Sequence, residues 1–166
     1  MSRVDELIHD LGLERHPEGG YFRETYRSTD LLNANALNNR FSDNRNVCTA
    51  IYYLLSRGEQ SLLHRLRSDE LWFFHEGQCL DIIVLDKDGC KTFRLGRDIG
   101  KGEQLQHTIP AGSWFGALIP PESDYVLCSC TVAPGFDFND FEMGDRMTLL
   151  KEFPLCRHEI LTLTNP

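Results

Sequence analysis

His64 and Glu70 are the residues whose types and spacing best suit acid–base chemistry. An imidazole titrates near neutrality and can take up a proton at physiological pH. A carboxyl six residues further on can orient that ring or hold a ligand hydroxyl. In an extended chain alternate residues share a face, which pairs His64 with Leu66, and Glu70 with Trp72 and Phe74, while Leu71, Phe73 and His75 point the other way. The bland alternatives are an interior histidine that is simply hydrogen-bonded, and a salt bridge from Glu70 to Arg65 or Arg67. Arg23 and Glu24 alternate with Phe22 and Thr25, so one of the two can reach a pocket mouth. Arg23 there would grip a carboxylate or phosphate in bidentate fashion, with a rim ion pair as the alternative. A tyrosine opposite His64 could return a proton. Tyr52, Tyr53 and Tyr125 all fall in strand-like segments and the sequence does not choose among them; Tyr53 is taken as the pocket-lining one.

The wider spacing has a familiar form. His64-Arg65-Leu66-Arg67-Ser68-Asp69-Glu70, with Gly77 after six more residues, resembles the first cupin motif, H-x-H-x(3,4)-E-x(6)-G. Gly102, Pro110-Ala111-Gly112 and Phe115 resemble the second, G-x(5)-P-x-G-x(2)-H-x(3)-N, with looser spacing from Gly102. In cupins these motifs supply three histidines and a glutamate to a metal. Here Leu66 and Phe115 stand at two of the four ligand positions, and the two donors left are fewer than a catalytic transition metal normally needs. The expectation is therefore no metal and no cofactor, with recruitment of His75 or His107 in another geometry as the alternative. Leu66, Trp72, Phe74 and Phe115 then make an apolar ligand-binding wall around His64 and Glu70.

Three further stretches are more specific: His16-Pro17-Glu18-Gly19-Gly20-Tyr21-Phe22-Arg23-Glu24, Ser68-Asp69-Glu70-Leu71-Trp72, and Pro134-Gly135-Phe136-Asp137-Phe138-Asn139-Asp140-Phe141. Together they resemble a small cupin family of unknown function over nearly the whole chain. The resemblance implies an all-β jelly roll (double-stranded β-helix) related to the RmlC-like deoxysugar-nucleotide epimerases, and a homodimer, here expected to use the N-terminal segment. Metal-free epimerases of that fold use an inward histidine as base. The implied function is a metal-independent, small-molecule-binding cupin, an isomerase or epimerase of a sugar-like or oxygen-rich anionic metabolite with His64 as base. The alternative is a non-catalytic ligand-binding or regulatory cupin, since fold analogy does not carry a reaction with it.

The elements that must position these residues are legible. Val4, Leu7, Ile8 and Leu11 follow helical spacing between a Ser2 cap and Gly12. Short strands are expected at Tyr21–Arg27, Val47–Ser56, Leu62–Leu66, Leu71–His75, Leu80–Leu85, Thr92–Leu95, Leu105–Ile109, Ser113–Ile119 and Tyr125–Val132, separated by turn signals. Residues 30–46 read as a long surface loop, and Arg146–Phe153 as a helix capped by Asp145 and stopped by Pro154. Glu18-Gly19-Gly20 reads as a tight turn or a close approach to ligand. Phe136, Phe138 and Phe141 read as packing of the C-terminal segment, with a stacking box as the alternative.

At 166 residues one domain, 1–166, is expected. A net charge of -8 with scattered basic residues argues against nucleic acid. It also requires a local cation, Arg23, if the ligand is an anion. No apolar run approaches a membrane span and no signal-peptide core opens the chain, which points to the cytoplasm and away from membranes. The six cysteines show no C-x-x-C or His-Cys zinc spacing and read as small core residues; Cys128 and Cys130 would share a strand face.

Overall fold

The structure, a computed structural model, describes residues 2–37 and 40–166. Helix α1 (Arg3–Leu11) opens the chain. Ser2 and Asp5 form a reciprocal capping box at its start, and Gly12 closes it in the left-handed conformation. The strands follow as β1 (Glu14–Arg15), β2 (Tyr21–Arg27), β3 (Leu31–Leu32), β4 (Arg45–Asn46), β5 (Thr49–Ser56), β6 (Gln60–Arg65), β7 (Asp69–Gly77), β8 (Cys79–Val84), β9 (Lys91–Gly96), β10 (Gln106–Ile109), β11 (Phe115–Leu118), β12 (Tyr125–Ala133) and β13 (Glu142–Met143). Helices α2 (Arg146–Glu152), capped by Asp145, and α3 (Arg157–Thr162) end it. The segment 30–46, expected as a loop, contains the small β3–β4 hairpin; its residues 38 and 39 lie outside the described residues.

Two sheets face each other, a six-stranded one in the order β1-β2-β5-β12-β7-β10 and a five-stranded one in the order β13-β6-β11-β8-β9. Pairing between the named strands is antiparallel throughout. This is the jelly-roll architecture expected of a cupin. The period of two along each strand sends one set of side chains between the sheets and the other outward. The outer set is covered by helices: α1 lies over Leu54 and Leu127, and α2–α3 over Leu63, Ile83 and Leu85. Among the described residues no helix is long and apolar enough to cross a membrane.

Register across the six-stranded sheet aligns the inward side chains in rows. Phe22, Tyr53, Cys128 and Phe74 form one row, and Glu24, Ile51, Cys130 and Trp72 the next. The register then shifts between Glu24 and Tyr26. This bulge at Thr25 brings Arg27, rather than Tyr26, into the third row beside Thr49, Val132 and Glu70. The cysteine expectation needs one correction. Cys79, Cys128 and Cys130 are small buried core residues and Cys48 is only half-buried, but Cys90 and Cys156 are joined as a disulfide with Cα atoms 5.5 Å apart, tying the β8–β9 turn to the C-terminal helices.

Candidate functional site

A cavity of about 340 Å³ opens between the sheets, walled by His16, Glu18, His64, Glu70 and Trp72 with an aromatic rim of Phe22, Phe136, Phe138 and Phe141. One of its buried polar groups, Glu18, enters by an unexpected route. The loop His16–Gly20 is closed by bonds from Gly19 N to His16 O and from His16 N to Gly20 O. It is pinned to the barrel where Leu62 N donates to Glu18 O and Tyr53 Oη donates to Gly19 O at 2.8 Å. A Cβ on Gly19 would lie 2.0 Å from Gln60 O, and φ there is +112°; only glycine permits this approach. The result drives the Glu18 side chain into the interior, where Oε1 accepts from Ser61 Oγ at 2.8 Å.

Glu18 Oε2 stands 3.2 Å from His64 Nε2. The other ring nitrogen, Nδ1, lies 2.7 Å from Leu62 O, a carbonyl that can only accept, so Nδ1 carries a hydrogen. A proton must then reside on Nε2 or Oε2, because otherwise two lone-pair-bearing atoms would face one another bare. His64 and Glu18 are thus a proton-holding pair, and both are buried. His16 completes the group: its Nδ1 accepts from Glu18 N, and burial lowers its pKa, which keeps the ring neutral.

Glu70 faces this pair from the opposite sheet. Its Oε2 is buried without a partner, as is Trp72 Nε1 two residues along the same strand. Burial and the charge of Glu18 push the Glu70 pKa up to about 8, so the carboxyl is protonated at neutral pH. The indole approaches that carboxyl and favours its charged form, without the alignment of a hydrogen bond. The salt-bridge alternative is absent, since Arg65 pairs with Glu142 and Arg67 donates to Arg40 O.

Of the residues expected from sequence, His64, Glu70, Tyr53, Leu66 and Trp72 meet at this cavity. Phe115 and Phe74 do not line it. Phe115 packs behind His64 with ring centroids 4.3 Å apart, and Phe74 belongs to the solid end of the interior. Arg23 lies on the outer face of β2, where its guanidinium donates to Leu11 O at the end of α1. The guanidinium at the cavity is Arg27, and its charge is already paired: four of its five N–H groups bond the two oxygens of Glu24, Asn46 Oδ1 and Phe136 O. An anionic ligand therefore loses the cation it was to rest on. Among the three tyrosines Tyr53 alone faces inward, while Tyr125 bonds Glu76 and Tyr52 packs with the outer cluster. Tyr53 is a poor proton donor to a ligand, because its hydrogen is committed to Gly19 O and its pKa lies well above the ordinary value through burial.

The metal implied by cupin ancestry does not fit these residues. Leu66 and Phe115 offer no donors, and His75 and His107 are elsewhere, one bonded to Ser129 on the outer face and the other stacked on Phe93. Among the described residues no three His, Cys, Asp or Glu side chains converge as a metal requires.

Sequence reasoning missed Glu18, His16 and Arg27. An acid and a histidine immediately before Gly19-Gly20 were the available signal for the first two; the bulge that exchanges Arg27 for Tyr26 left none. Residues 136–141, which cover the cavity mouth as a lid, are clamped by the buried ion pair of Arg45 with Asp140, at 2.6 and 2.9 Å. This clamp places Phe138 and Phe141 over the mouth.

Comparison with known proteins agrees with this architecture. Residues 5–144 match the family described as Cupin_5, cupin superfamily (DUF985). The uncharacterized protein YML079W of Saccharomyces cerevisiae is 32% identical over 148 residues, 84% of this chain and 74% of that one. A hypothetical protein from Leishmania major superposes with a TM-score of 0.90 at 31% identity over 99% of this chain and 100% of that chain. Protein SO0799 from Shewanella oneidensis gives 0.87 at 36% identity over 100% and 99%. Oxalate decarboxylase from Bacillus subtilis shares the fold alone, with a TM-score of 0.53, 17% identity, and 90% of this chain against 36% of that one. The chain belongs to the DUF985 family of the cupin superfamily.

Proposed function

We infer that the cavity binds a small, uncharged, oxygen-rich metabolite and moves a proton on it without a metal, as an isomerase or epimerase of a sugar-like carbonyl compound. One observation carries the reading: a buried, protonated carboxyl (Glu70) faces a His64–Glu18 pair that already shares a proton. Two acid–base groups whose environments set them in opposite states are the arrangement proton transfer needs. The pair takes the proton beside the ligand carbonyl onto Glu18 and becomes imidazolium plus carboxylic acid; return of that proton to carbon restores it. His64 thus acts as base together with Glu18, since both its nitrogens are engaged.

Solvent-deuterium exchange into a panel of neutral keto and aldo sugars, followed by mass spectrometry, tests this. One deuterium is expected in a ligand that binds, with Glu18→Gln slowing its uptake 100-fold or more. Binding without any exchange would leave a non-catalytic ligand-binding cupin instead.

A further inference from the structure

We propose that Trp72 Nε1 and the Glu70 carboxyl form a two-donor cradle for one ligand oxygen, and that the ligand is therefore an enolisable aldehyde or ketone whose carbonyl oxygen sits there. The proposal rests on the proton-transfer reading and adds to it the place where charge develops. Trp72 and Glu70 lie two apart on β7 and so face the same way, 1% and 7% exposed, and both are part of the cavity wall. Each carries a buried polar atom that the rest of the protein leaves without a partner.

The types of those atoms select the ligand. An indole N–H donates and cannot accept. Glu70 in its acid form offers an O–H, and burial keeps it in that form. A carbonyl or enolate oxygen accepts two hydrogen bonds and donates none, which matches both. The aromatic rim and the carboxyls of Glu18 and Glu24 would by themselves suit an ammonium ion. An ammonium brings only donors, however, and would leave Trp72 Nε1 as bare as it is now. A carboxylate or phosphate would meet the Glu18 carboxyl, and Arg27, the guanidinium among the lining residues, is already paired in bidentate fashion with Glu24.

The chemistry balances without a co-reactant. The Glu18–His64 pair removes the proton on the carbon next to the carbonyl, the C–H electron pair forms the enolate C=C bond, and the carbonyl π pair moves to oxygen. That oxygen holds the charge against Trp72 N–H and Glu70 O–H. Reprotonation at carbon, from the pair, regenerates the carbonyl and both donors. Fixed donors in a site shielded by Phe136, Phe138 and Phe141 are worth more than the same donors in water.

Phenol and p-nitrophenol, planar molecules whose oxygen imitates an enolate, are the probes. In a 1H–15N spectrum of the ¹⁵N-labelled full chain, the Trp72 indole signal, identified by its absence in Trp72→Phe, is expected to move downfield on saturation while that of Trp114 stays. p-Nitrophenol, the more acidic, is expected to bind more tightly than phenol, and Trp72→Phe to weaken it about tenfold. An unmoved Trp72 signal in the wild-type chain at saturation overturns the cradle, as does failure of both phenols to bind at millimolar concentration. The two readings fail separately. Undiminished deuterium exchange in Trp72→Phe removes the cradle and leaves proton transfer standing. Phenol seated on Trp72 in a protein that exchanges no ligand proton does the reverse.

Discussion

The two halves of the barrel interior are built from the same cross-strand rows and finish differently. Behind the row of Phe22, Tyr53, Cys128 and Phe74, whose first two members still border the cavity, the facing sheet supplies Leu80, Ile82, Phe115 and Ala117, which pack with Leu95 and Val126 into one apolar cluster. One or two rows on, Trp72 and Glu70 face His64 and Leu66, and the space is a cavity. The solid half has apolar side chains that need nothing from a ligand. The open half has an unpaired acid, an unpaired indole and an acid–imidazole pair in a low-dielectric setting, each at some cost to stability. Stability is thus concentrated at one end and chemistry at the other, the division expected when a fold tolerates local strain where it acts.

The comparison breaks most visibly if the solid half is cut. Phe115→Ala deletes a ring that is 1% exposed and touches His64, and should lower stability by about 3–5 kcal/mol in urea denaturation. A loss under about 1 kcal/mol would mean the two halves do not differ as described.

A change in the open half should act in the opposite direction. Glu70 ionises at 4.5 in the unfolded chain and near 8 in the fold. Below the lower value both states hold the proton and the full stability is present. As the pH rises between the two values only the unfolded chain releases its proton, so stability falls, by about 2–4 kcal/mol, and levels off above the folded value. Glu70→Gln should remove that slope and make the protein more stable than wild type at pH 8, while its amide N–H keeps a donor for the ligand oxygen, so that proton transfer by the Glu18–His64 pair slows and does not stop. Parallel pH profiles for the two proteins would show that Glu70 is not held as an acid.

The solid half was more legible than the open one, for physical reasons. Period-two alternation and turn residues placed nine strands within a few residues of their observed bounds, and cap residues placed α1 and α2. These signals are local, and the packed rows follow from them. The cavity depends on non-local and backbone events. Glu18 reaches the interior because a Gly-Gly loop presses against Gln60 O. Arg27 replaces Arg23 in the expected role because one unpaired residue shifts a register. The inward face chosen for Arg23 is wrong even before the bulge, where Phe22 and Glu24 point to the cavity, and beyond the bulge alternation no longer applies. The Cys90–Cys156 bond joins residues 66 apart and carries no spacing signal. Even so, alternation paired His64 with Leu66 and Glu70 with Trp72, and the resemblance to the first cupin motif brought the two pairs to one pocket, where the structure has them.

The smallest expected effect on stability is the sharpest probe of the division. Phe138 belongs to the rim: it is 57% exposed, and its ring lies nearly parallel to that of His16 with centroids 6.5 Å apart. Its backbone is held independently, by the Asp137 cap on Asn139 N and by the Arg45–Asp140 pair two residues on. Phe138→Ala should therefore change unfolding free energy by no more than about 0.5–1 kcal/mol. It also removes the aromatic cover over Glu18 and His64 and admits water to the acid–base pair, which weakens every hydrogen bond made inside. Phenol affinity and deuterium exchange should both fall severalfold in a protein that melts where wild type does. If exchange is unaffected, water already reaches the pair and the lid has no part in the chemistry. A large drop in melting temperature would place Phe138 with Phe115, as part of the packing.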